Sequence, residues 1–115
     1  MIEVNKEQIT KELVEQWMND WAQLNETIHA AHDRRDGSAH ALMLQGIALF
    51  QTFIEQGSLT EEAFSTANEY ELMPINGMER FQFISARPGQ YACYRQLDEL
   101  FKETKKRCAR LRLKK

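Results

Sequence analysis

Residues 9–28 read ITKELVEQWMNDWAQLNETI, and in them Ile9, Leu13, Trp17, Trp21, Leu24 and Ile28 recur at spacings of 4, 4, 4, 3 and 4. That rhythm lays one apolar stripe along a helix, because 3.6 residues make a turn. The opposite face carries Lys11, Glu12, Glu15, Asn19 and Glu26. The spacing predicts a helix from about residue 6 to residue 33, with Asn5 as its N-cap. A strand would alternate every second residue, and no such pattern occurs in the chain.

Asp36-Gly37-Ser38 breaks the first helix, with Gly37 suited to a left-handed terminus and Ser38 to capping the next helix. Leu42, Met43, Ile47, Leu49, Phe50, Phe53 and Ile54 then cover most of a second helix over 39–56, which places it centrally in a bundle. Gly46 and Ala48 invite a close helix approach there. Ser58 and Glu61 match a capping box and predict a third helix of about 12 residues, with Ala63, Phe64, Ala67 and Tyr70 facing inward. Leu72 to Gly77, containing Pro74 and Asn76-Gly77, reads as an irregular connection. A short helix over 78–86 follows, with Phe81, Phe83 and Ile84 partly buried. Arg87-Pro88 closes it, because the residue before proline disfavours helix. A last helix over 89–111 carries Tyr91, Tyr94, Leu97, Phe101, Cys108 and Leu111, with Thr104 interrupting the stripe. The expected fold is all-α: a compact bundle of four to five helices in a single domain, residues 1–115, with a basic segment at 102–115.

Length and composition agree. A chain of 115 residues, 43% hydrophobic and 10% aromatic, has enough apolar surface for one core, and 5 Gly with 2 Pro exclude low-complexity character. The longest run without Asp, Glu, Lys or Arg, Gly37 to Ile54, spans 18 residues but only 11 are hydrophobic, so it reads as a buried helix and no membrane association is expected. The acidic N-terminal residues Glu3 and Glu7 do not resemble a secretory leader. Cys93 and Cys108 fall on one helix about 22 Å apart, beyond disulfide reach, and a reducing cytoplasm is the expected setting.

Glu79-Arg80, Phe83-Ile84, Arg87-Pro88, Tyr91, Gln96-Leu97 and Glu99-Leu100-Phe101 form a pattern that resembles the YpoC-like family of small helical bacterial proteins. The similarity rests on residues 78–105, with Gly46-Ile47 and Phe50 agreeing more loosely. It implies an intracellular all-helical domain, and it implies no activity and no catalytic residues.

Candidate chemistry is sparse. His29, His32 and Asp33 share a helix face and are the candidates for a metal-dependent enzyme, but His40 is the one other histidine and lies in the same stretch. Cationic histidines also suit a helix C-terminus. Cys93 could act as a nucleophile only with a base beside it, and buried packing is its simpler role. Trp17 and Trp21 fit core packing better than a ligand platform. Arg87 sits at a helix corner, where it could clamp Asp98 or Glu99 or hold an external anion. No phosphate loop, dinucleotide fingerprint or paired carboxylates are present, and no cofactor is expected.

Charge is the strongest lead. Residues 102–115 hold eight basic residues and one acid, for +7, while residues 1–101 carry −9. Lys105, Lys106, Arg107, Arg110 and Arg112, with Arg87, are the candidate binding residues. The expected function is that of a non-catalytic cytoplasmic protein acting by binding another protein, or by self-association. The alternative is a nucleic-acid-associated accessory protein using the basic helix, with weak, salt-dependent affinity because the acidic body repels phosphate and no aromatics interleave the tail. The metal-dependent enzyme is the third reading.

Overall fold

The computed structural model describes residues 1–114 and is all-α. Lys115, counted in the basic segment, lies outside the described residues. Four helices follow a single 3-10 turn at Lys6–Gln8: α1 (Lys11–Arg34), α2 (Ala39–Gln56), α3 (Gly77–Ala86) and α4 (Tyr91–Leu113). The N-terminus differs from the expected continuous helix. Asn5 does act as a cap, accepting from Glu7 N at 3.2 Å, but it caps the 3-10 turn. Ile9 then leaves helical geometry and inserts fully into the core, and α1 restarts with Thr10 accepting from Leu13 N at 3.3 Å. The inward face of α1 is Val14, Trp17, Trp21, Ile28 and Ala31. Val14 replaces Leu13, which is 44% exposed, so the buried stripe is rotated by one residue at this end.

The break between α1 and α2 falls where expected, with different roles. Arg35 takes the left-handed conformation that ends α1, at φ 55°, and Gly37 follows at φ +82°. Ser38 holds the N-cap position of α2 but its side chain makes no capping bond; its Oγ donates to Asp36 Oδ1 at 2.6 Å. Asp36 also accepts from Ser38 N and Arg34 Nε, and these bonds hold its carboxyl well below the usual carboxylate range.

The third helix does not form. Ser58 is buried, and its hydroxyl donates back to Ile54 O at 2.7 Å instead of capping a new helix. The N-terminal residues explain why. They run as a strap through this region, with bonds Leu59 N to Glu3 O, Asn5 N to Gly57 O, Ile2 N to Glu69 O and Glu71 N to Ile2 O, each 2.8 Å. The strap pins both ends of the segment, making two isolated bridges, Ile2 with Tyr70 and Val4 with Ser58, and the pinned ends hold it in an open course. Tyr70 keeps its expected burial and stacks on Phe64 at 5.4 Å, whereas Ala63 and Ala67 are exposed. Phe83 is also solvent-facing, because Phe81 and Ile84 take the inner face of α3.

The strap is fastened by Glu71. Its Oε1 accepts from Val4 N at 3.0 Å and its Oε2 from Lys114 Nζ at 3.0 Å. These bonds, the Val4 amide first, lower the Glu71 pKa from its usual 4.5. A carboxyl whose folded pKa is depressed stabilises the fold above its unfolded value and loses that contribution as pH falls through the folded one. Glu71→Gln is therefore expected to be less stable than wild type at pH 7, with the difference shrinking below about pH 4.5. Urea titrations of both proteins at neutral and acidic pH check this, and a pH-independent difference would contradict it.

α4 is the hub of the bundle: it packs against α1, α2 and α3, while α2 meets chiefly α1 and α4. The expectation of a central second helix is corrected accordingly, because α4 buries Cys93, Leu97, Leu100, Phe101, Cys108 and Leu111 along its length. Thr104 belongs to that buried face and does not interrupt it. Gly46 permits the crossing. A Cβ there would lie 2.9 Å from Trp21 Cζ3 and 3.1 Å from Leu97 Cδ2, so α1, α2 and α4 converge at this hydrogen.

Candidate functional site

Residues 102–113 of the basic segment are the folded end of α4, and part of their charge is spent inside the molecule. Arg107 Nε donates to Glu71 O at 2.5 Å, Arg112 Nη1 to Ile9 O at 2.9 Å, and Lys114 pairs with Glu71. Lys102 lies 3.0 Å from Asp98 Oδ2. Arg107, Arg112 and Lys114 lock the end of α4 onto the strap and the body, whereas the Lys102 pair lies within α4. Lys105, Lys106 and Arg110 are exposed and have no hydrogen-bond or ion-pair partner among the described residues. The set named from sequence thus divides into fasteners, Arg107 and Arg112, and solvent-facing charges, Lys105, Lys106 and Arg110.

Two of the solvent-facing lysines border a groove. Between α1 and α4 runs a depression of about 630 Å³. Met18 of α1 and Ala109 of α4 supply apolar surface beside the buried Val14, and Lys11, Lys105 and Lys106 supply charge. Lys102 and Arg112 mark its two ends on α4, and Glu15 lies on the α1 side. Periodicity builds this line: positions 102, 105, 109 and 112 fall on one face of α4, as 11, 14 and 18 do on α1. The α1 wall was not foreseen from sequence. Its signal was present in Lys11, Val14 and Met18, but the stripe through Leu13 drew the core face one residue away.

Arg87 lies outside this groove. It is exposed at the end of α3, and its guanidinium has no hydrogen-bond or ion-pair partner among the described residues. The clamp between α3 and α4 is made by Arg80, which donates through Nη1 to Glu103 Oε1 at 3.0 Å and through Nη2 to Oε2 at 2.7 Å. That two-pronged bond holds the Glu103 carboxyl below its usual range. Asp98, one of the carboxylates offered to Arg87, is buried and takes Trp21 Nε1 at 3.0 Å and Asn25 Nδ2 at 3.4 Å. Tyr94 OH donates to Asn25 Oδ1, which extends the network to the edge of α4.

The histidines do not assemble a metal site. His29 Nε2 is 3.6 Å from Asp33 Oδ2 on an exposed turn. His32 packs against tyrosines, at 5.3 Å from the Tyr91 ring and 5.6 Å from the Tyr94 ring. Among the described residues no group of three His, Cys, Asp or Glu side chains converges to hold a metal ion. Both cysteines are buried. Burial pushes the Cys108 thiol up to about 11 and raises Cys93 as well, so neither presents a thiolate at neutral pH. Trp17 and Trp21 are core residues: Trp17 stacks on Phe53 at 3.9 Å and Trp21 on Phe101 at 4.2 Å. No helix among the described residues is long and apolar enough to cross a membrane.

Comparison with known proteins reaches the same helices. The YpoC-like protein family matches residues 11–115, which spans all four helices. The uncharacterised protein YpoC of Bacillus subtilis (strain 168) is 54% identical over 37 residues, a stretch covering 32% of this chain and 23% of that protein. The aligned stretch is thus well under half of that relative's length. No solved structure matches. With a family match that runs from the first residue of α1 to the end of the chain, this protein belongs to the YpoC-like family.

Proposed function

We propose that this protein is a non-catalytic cytoplasmic binding module that recognises another protein through the positive surface of α4. The observation that supports this reading is the groove between α1 and α4, where Lys105 and Lys106 stand unpaired beside apolar Met18 and Ala109. Charged rims around apolar contact surface steer and select protein partners. The −9 body and +7 end give the molecule a directional field that orients an approaching acidic surface.

The double reversal Lys105→Glu with Lys106→Glu tests it. Both side chains are exposed, so the fold is expected to persist. Affinity capture from lysate of the source cells is expected to recover a reproducible protein partner with wild type. That partner is lost with the variant, and also at about 1 M salt, where charges farther apart than about 3 Å are screened. Recovery of nothing reproducible would contradict protein binding. Capture abolished by nuclease would instead favour the nucleic-acid reading, whose salt slope would fall with each lysine removed.

A further inference from the structure

Resting on that reading, we propose that the α1/α4 groove takes an amphipathic helix of a partner protein, with its apolar stripe on Met18 and Ala109 and an acidic flank against α4. Three features carry the assignment. The two walls are helices, and the depression between them offers a third helix the ridge-and-groove seat that helical recognition uses. Its unpaired cations on α4 are Lys105 and Lys106, and Lys102 and Arg112, bonded to Asp98 and Ile9 O, stand at the two ends of the groove about 15 Å apart. The free charge is thus concentrated mid-groove, where it matches a pair of carboxylates three or four residues apart on a partner helix. The α1 side is mixed, with Lys11 followed by Glu15, so the charge preference is one-sided and fixes which flank of the partner faces α4. A nucleic acid is a poorer occupant: Met18 and Ala109 offer phosphates nothing, and Glu15 repels them.

A fluorescein-labelled helical peptide of about 14 residues is the probe, with leucines in an i, i+3, i+4, i+7 stripe and glutamates along one flank. Its controls are the same composition in scrambled order and an all-glutamate peptide. Wild-type protein is expected to bind the amphipathic peptide at least about tenfold more tightly than either control, and Lys105→Glu with Lys106→Glu to weaken it by about tenfold. The doubly reversed protein is expected to regain binding to a peptide whose flank carries lysines in place of glutamates. Met18→Glu provides a second, independent variant that weakens the amphipathic peptide through the apolar contact.

Equal binding of all three peptides would overturn the proposal by reducing the groove to a general anion surface. No binding of any peptide would overturn it too. If the double reversal in that case still abolished capture of the wild-type partner, protein binding through α4 would survive without a helix in the groove, whereas retained capture would contradict that reading as well. Sedimentation adds the last arm: a wild-type dimer that the peptide dissociates would place a second copy of this chain in the groove and overturn the proposal.

Discussion

Phe101→Ala is expected to lower the unfolding free energy by about 3–5 kcal/mol, the usual cost of emptying a buried aromatic site. Phe101 is fully buried on α4, the helix that meets all three others. Its ring lies 4.2 Å from Trp21, 4.7 Å from Trp17 and 5.3 Å from Phe50, so one side chain joins α1, α2 and α4. The surrounding rings are too large and too constrained to collapse into the space left behind, which puts the site at the costly end of such truncations. A domain of this size has about 5–15 kcal/mol of total stability, so the variant is expected to be near its unfolding threshold at room temperature. Urea unfolding followed by tryptophan fluorescence measures the loss. A change below about 1 kcal/mol would mean that the aromatic cluster does not hold these helices together.

The second large effect belongs to a polar group. Asp98→Ala is expected to cost about 2–3 kcal/mol, because Trp21 Nε1 is left buried without an acceptor. Asn25 loses its bond to the same carboxyl, and with it the anchor that orients its partner Tyr94. Asp98→Asn keeps an oxygen for the indole and is expected to cost less. Lys102→Ala removes only the partner on the solvent side, which is 53% exposed, and is expected to change stability by less than about 1 kcal/mol. A ranking with Asp98→Ala worst, Asp98→Asn intermediate and Lys102→Ala mildest identifies the indole bond as the stabilising contact. Equal losses from Asp98→Asn and Asp98→Ala would assign the effect to the ion pair.

The helices were legible because their apolar residues recur with helical period over many turns, as Trp17, Trp21 and Ile28 do on α1 and Leu97, Phe101 and Cys108 on α4. Ser58 through Tyr70 was misread because its capping pattern is local, whereas its actual partners, Ile2 and Glu3, are distant in sequence. Long-range pairing of a strap leaves no periodic trace. The same limit applies to the site. Lys105, Lys106 and Arg110 were visible as charge, but that Arg107 and Arg112 are bonded to Glu71 and Ile9 follows only from the fold. Arg80 carried no mark that set it apart from Arg87, and the choice between them was made by which one faces Glu103 across one turn of the bundle.

What decides the functional reading is where an acidic helix touches this protein. Titrating the amphipathic acidic peptide into isotope-labelled protein and recording amide chemical shifts residue by residue measures that directly. Saturable shifts are predicted at Lys11–Met18 of α1 and Lys102–Arg112 of α4, with the Arg87 corner and the His29–His40 turn unmoved. Shifts centred on α2, α3 or the Ser58–Tyr70 segment, or none at saturating peptide, would contradict an acidic helix seated between α1 and α4.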